Sequence, residues 1–214
     1  MFSPPTITFL SSLGYCTVAC WPLISNTLPG IAKHISDIIT LKMQKEPVQT
    51  TNEAPTKKLV IGWFSFTCCE DSTILMTEML NDHLYEWKKL VEFRYARALK
   101  TKNEIRDLDV AFIEGAISSE TQAQEVQKIR DNSKYVVAIG ACACTGMPSA
   151  SRNEFADERI NERIKWYFSH FDYNKKVVKL SDIIKVDDEV NGCPMNADAF
   201  LAALNKYLKL FEII

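Results

Sequence analysis

The sequence lacks most of the signals that would give a protein of this size an easy assignment. It has no excess of either charge: 25 Lys and Arg stand against 27 Asp and Glu, a formal net charge of −2. Those charges are interspersed and no basic–aromatic pattern appears, which argues against a nucleic-acid or anionic-membrane partner. There is no G-x-G-x-x-G and no Walker loop, so nucleotide binding of the usual kinds has no support. Only three histidines exist, His34, His83 and His170. None adjoins a cysteine segment, so a Cys–His nucleophile is disfavoured. No C-x2-C knuckle of the kind that clasps structural zinc is present.

Residues 1–42 lack charge until Lys33, and Pro4, Pro5, Pro22 and Pro29 interrupt their apolar run. A secretory signal needs positive charge ahead of the apolar stretch. A membrane helix needs about 20 unbroken apolar residues. Neither pattern is met, so a membrane location is not expected. Three readings stand: a poorly ordered extension, translation from an upstream start with Met43 as the true one, or a weak anchor. Residues 44–57 are polar with two prolines and read as a linker. The expected division is an N-terminal extension and linker over 1–57 and one domain over 58–214.

Within that domain, short apolar runs alternate with helical periodicity. Strands are expected at Leu59–Phe64, Val91–Tyr95, Leu108–Ile113 and Tyr135–Ile139, with a short one at Ile184–Val186. Helices are expected at Ser72–Lys89, Ser119–Asp131, Glu154–Phe168 and Ala197–Leu210. This alternation predicts an α/β fold, a mostly parallel sheet with helices on both faces. Ligands of such sheets gather at the carboxyl ends of the strands.

The cysteines fall at those ends. Seven are present: Cys16, Cys20, Cys68, Cys69, Cys142, Cys144 and Cys193. An odd number in a chain that is not a small secreted scaffold weakens a disulfide framework, and five cysteines in the globular part point to metal or redox work. Cys68 and Cys69 follow the first strand, Cys142 and Cys144 the fourth, and Cys193 precedes the last helix. The chain has only seven glycines, and Gly140, Gly146 and Gly192 flank cysteines. After Pro55 its only prolines are Pro148 and Pro194, both in cysteine segments. A core cysteine needs no such setting. Thiolates on three distant loops suit zinc or an iron–sulfur cluster, and a tandem Cys-Cys with remote partners suits the larger cubane.

Four elements together resemble a known family: Cys68-Cys69-Glu70 after the first strand, a strand ending in Glu114-Gly115, Gly140-Ala141-Cys142, and Gly192-Cys193-Pro194. They are similar to the small, electron-transferring subunit of nickel–iron hydrogenases and to the related 20 kDa-type cluster subunit of NADH:ubiquinone oxidoreductase. The resemblance runs from Lys58 to Leu210. It implies a flavodoxin-like domain with one proximal [4Fe-4S] cluster on Cys68, Cys69, Cys142 and Cys193. Phe66 stands where hydrogenase small subunits usually carry the first cysteine of a C-x-x-C. Cys144 is then either an extra thiol that supports the cluster from outside its ligand set or the alternative to Cys68 as fourth ligand. Glu114 is expected either as a solvated strand-end residue or as a group beside the cluster or a partner. Glu70 is expected either as a helix N-terminal acid or as a site residue.

The resemblance also implies that hydrogen chemistry occurs on a separate nickel–iron large subunit. This chain then relays electrons onward to an iron–sulfur or flavin subunit. No cysteine follows Cys193 and no twin-arginine signal is seen, as in short small subunits of cytoplasmic hydrogenases. Rival readings are a complex I-like module, an electron-transfer module that also holds FMN, for which no motif speaks, and a structural zinc protein.

Overall fold

A computed structural model of the chain describes residues 57–155 and 160–214. The extension expected over residues 1–57, with Cys16 and Cys20, lies outside the described residues except for Lys57.

Five strands form one parallel sheet: β1 (Leu59–Ser65), β2 (Val91–Ala96), β3 (Leu108–Glu114), β5 (Ser133–Ile139) and β7 (Asp188–Val190), in spatial order β2-β1-β3-β5-β7. Central β3 is buried at every position, as expected of a strand covered on both faces. Its side chains alternate between the two layers. Val110 and Phe112 join one cluster, with α1 (Asp71–Leu90) and α5 (Ala197–Leu210) through Met76, Trp87, Phe200 and Tyr207. Ala111 and Ile113 join the other, with α2 (Glu120–Asp131) through Val126 and Ile129. The Phe200 ring meets Trp63 and Phe112 at centroid distances of 5.7 and 5.5 Å and locks α5 onto the sheet. Each such buried ring contributes roughly 1.5–3 kcal/mol.

The expected fold is therefore present, with differences in detail. The helix expected over Glu154–Phe168 is shorter. A 3-10 turn over Ser149–Glu154 ends at an extended Phe155, and α4 spans Glu162–His170. Its start is set by Asn161, whose side chain accepts from Ile164 N at 3.0 Å, an N-cap signal that apolar periodicity ignores. The strand expected at Ile184–Val186 lies instead at Asp188–Val190. Ile184 is buried as a loop side chain in the second cluster, and pairing with β5 begins only at Asp187, whose N donates to Val136 O at 2.9 Å. Two strands were not anticipated: β4 (Ile117–Ser119) and β6 (Tyr173–Val178) form an antiparallel ribbon apart from the main sheet. β4 is too short, and β6 too exposed along Tyr173–Lys176, to show a period-2 pattern. The Cys142 segment is also not a loop. It is a six-residue helix, α3 (Gly140–Thr145), closed at Gly146 in the left-handed conformation.

Candidate metal centre

The carboxyl ends of β1, β3, β5 and β7 converge, and the cysteine segments meet there. The β1–α1 loop is pinned to the end of β3: Phe66 N donates to Glu114 O at 2.8 Å, and Thr67 pairs with Ala116 by two backbone bonds of 3.0 and 3.1 Å. Ser149 Oγ donates to Thr67 O at 3.0 Å and lies 3.2 Å from Cys142 Sγ, tying the segment after α3 to this loop. Ala141 N donates to Gly192 O at 2.7 Å, and Met195 N to Ser72 Oγ at 3.2 Å. Three stretches far apart in sequence are thus held together by direct bonds.

Two glycines make this convergence possible. Gly140 has φ +77°, and a Cβ there would lie 2.9 Å from Ser72 Oγ. Gly192 has φ +131°, and a Cβ there would lie 2.4 Å from Pro194 O. Both positions exclude other residues twice over, by conformation and by space.

Cys68, Cys69, Cys142 and Cys193 line one small cleft, together with Asp71, Ser72 and Glu114. The four thiols are graded by burial: Cys142 is buried, Cys68 half-buried, Cys69 and Cys193 exposed. Cys144 lies elsewhere. It is buried in the second core cluster, its thiol 3.7 Å from Ala138 O, and it does not line the cleft. Burial, with the negative Glu114 nearby, pushes the Cys68 thiol up to about 12. Burial and Glu189 do the same to Cys144, also to about 12. The Asp71 backbone N–H draws the Cys69 thiol down, but its side chain and partial burial outweigh that and leave it raised. A thiol raised in this way ionises readily only when a cation supplies the compensating charge. Four free thiols on one small cleft suit an inorganic centre, in which the thiolates are themselves part of the occupant.

Glu114 is not the solvated strand-end residue that one expectation made it. It is 3% exposed, its Oε1 accepts from Ser72 N at 3.0 Å, and its Oε2 accepts from Thr73 N at 3.1 Å and Thr73 Oγ1 at 2.6 Å. It caps α1 from outside the helix and forms one wall of the cleft. Glu70 is exposed, takes the left-handed conformation at φ 63°, makes no side-chain cap and lines a separate cleft with Tyr95 and Arg97.

Sequence reasoning missed Asp71 and Ser149. Asp71 follows the cysteine pair and opens α1, and its carboxylate and the Cys69 and Cys193 thiols all lie within 4.8 Å of one another. The run Glu70-Asp71-Ser72-Thr73 carried the signal, since acids and hydroxyls before an apolar helix mark its start. Nothing in the sequence around Ser149 singles it out.

The family described as NADH ubiquinone oxidoreductase, 20 Kd subunit, matches residues 68–207, from the first ligand candidate to the last helix. The chain belongs to this family. Relatives include a subunit of the vhu F420-non-reducing hydrogenase of Methanocaldococcus jannaschii, 30% identical over 70% of this chain and 57% of the relative. The delta subunit of sulfhydrogenase 2 of Pyrococcus furiosus is 26% identical over 71% of this chain and 63% of its own. The chain thus spans less than two thirds of the length of these curated relatives. Among solved structures, a chain of an NAD+-reducing [NiFe]-hydrogenase in the H2-reduced state superposes with a TM-score of 0.61 at 22% identity. That match covers 71% of this chain and 92% of the other, and it shows that the two share a fold.

Proposed function

We propose that this member of the 20 Kd family is the electron-transfer small subunit of a cytoplasmic nickel–iron hydrogenase. It would hold a proximal [4Fe-4S] cluster on Cys68, Cys69, Cys142 and Cys193. The observation that carries the reading is the convergence of these four thiols on one cleft, with Cys144 turned into the core. When bound, such a cluster supplies a one-electron redox centre. The chain's own contribution is to fix its ligands in place. Gly140 and Gly192 let the backbone close in, Glu114 anchors the helix that begins two residues after Cys69, and Ser149 orients the Cys142 thiol. The graded burial leaves Cys69 and Cys193 facing solvent or a partner. The partners would be a nickel–iron large subunit and a downstream iron–sulfur or flavin subunit. That these relatives are hydrogenase subunits supports this over a complex I-like role.

The test is anaerobic reconstitution of the full chain with iron and sulfide, read by metal analysis and by EPR of the reduced state. About four irons per chain are expected. They should be lost in Cys142→Ser and Cys193→Ser and retained in Cys144→Ser. A colourless chain with zinc and no iron would overturn the reading, and loss of iron in Cys144→Ser but not in Cys68→Ser would reassign the fourth ligand.

A further inference from the structure

The cleft has two halves of different character. Cys68 and Cys142 are withdrawn: Cys68 Sγ lies 3.7 Å from Phe66 O and Cys142 Sγ lies 3.2 Å from Ser149 Oγ. Cys69, Asp71 and Cys193 are all exposed, and one donor atom from each lies within 4.8 Å of the other two. In a tetrahedral zinc site with Zn–S of about 2.3 Å, two thiolate sulfurs stand about 3.8 Å apart. The three donors therefore need to close by only about 1 Å to share an ion.

The presence of an acid here has an ordinary explanation, the favourable field at a helix N-terminus. Two observations go past it. The N–H groups of Ser72 and Thr73 are already taken by Glu114, and Glu70 at the N-cap position of α1 makes no side-chain cap. The Asp71 carboxylate instead has an oxygen within 4.8 Å of both the Cys69 and the Cys193 sulfur. It thus stands beside the sulfurs, where two thiolates, one carboxylate and a water complete the coordination of a borderline-soft divalent ion.

We propose that Cys69, Asp71 and Cys193 form a landing site for a single divalent transition-metal ion, filled on the cluster-free chain from the solvent side. Cys68 and Cys142 take no part in it. The site shares Cys69 and Cys193 with the proposed cluster, so an ion such as zinc seated there competes with cluster loading, and ferrous iron seated there is positioned for it.

The experiment uses the full-length chain, purified anaerobically and freed of metal. Cobalt(II) is titrated in, and thiolate-to-cobalt charge-transfer absorption is followed. One cobalt per chain is expected. Its charge-transfer intensity should fall by about half in Cys69→Ser or Cys193→Ser, in keeping with two thiolate donors, and should be unchanged in Cys68→Ser and Cys142→Ser. Asp71→Asn, an isosteric change at an exposed position, should weaken binding about tenfold or more. A variant-free readout is alkylation mapped by mass spectrometry. One equivalent of zinc should slow modification of Cys69 and Cys193 and leave the rates at Cys68 and Cys142 as they were. The inference is overturned if Asp71→Asn binds cobalt as tightly as the natural chain, or if zinc protects all four cysteines together. Its fate is separable from that of the cluster. A chain that loads iron and sulfide but binds no single cobalt ion sinks only the landing site. A chain that binds cobalt on the triad but never loads a cluster sinks only the cluster.

Discussion

Glu114 joins three parts of the molecule at one carboxylate: the end of β3, the first turn of α1 and the wall of the cysteine cleft. Because it accepts three hydrogen bonds while almost fully buried, its replacement leaves donors stranded. Glu114→Gln keeps the shape but turns an amide N–H2 toward the backbone N–H groups it served. We expect a loss of about 2–3 kcal/mol in urea unfolding of the metal-free chain, together with slower iron incorporation. A midpoint unchanged from the natural chain would show that the carboxylate is not needed as a cap. The adjacent Thr73 extends this contact inward, since its Oγ1 accepts from Trp63 Nε1 at 2.8 Å and lies 3.0 Å from Ser65 Oγ. The site is therefore coupled to the core through one hydroxyl.

Among the elements, β7 is the weakest partner of the main sheet, with three residues paired to β5. Asp187 secures its entry. Its Oδ2 accepts from Val136 N at 2.8 Å and from Arg130 Nη1 at 2.7 Å, so a side chain extends the ladder by one rung. Burial pushes this carboxyl up, but the Val136 N–H and the Arg130 guanidinium outweigh that and hold it below its ordinary value of 3.8. A depressed folded pKa contributes stability that is full above the unfolded value, about 3.9, and is lost as pH falls through the folded one. Denaturation midpoints should therefore hold steady above about pH 5 and drop in stronger acid. Asp187→Asn should lower the neutral-pH midpoint and flatten part of that drop, and an acid limb as steep as in the natural chain would count against the assignment. Elements like β1, β3, β5, α1 and α5 were legible in sequence because burial on both faces, or on one helical stripe, writes long apolar patterns. The β4–β6 ribbon and the true start of α4 were not. They depend on tertiary pairing and on one Asn cap, which leave no periodic trace. The cysteine convergence was legible through scarce glycines and prolines, but Asp71 needed the fold, because only there does its carboxylate reach Cys193 from the other end of the domain.

At the scale of the whole molecule, the strand order β2-β1-β3-β5-β7 gathers chemistry from residues 68 to 193 at one edge. Among the described residues no helix is long and apolar enough to cross a membrane. The edge is built of bonds between segments rather than within them: Ala141 to Gly192, Met195 to Ser72, Ser149 to Thr67. Such a junction has a consequence for amide hydrogen exchange. The amides of Ala141 and Met195 cannot open one at a time without disturbing the Gly192–Met195 turn through which both are held, so they belong to one cooperative opening unit despite their distance in sequence. In the metal-free chain they should exchange with closely matched protection. Ser72→Ala removes only the acceptor of Met195, yet it should speed exchange at Ala141 as well. Faster exchange confined to Met195 would show that the segments breathe independently.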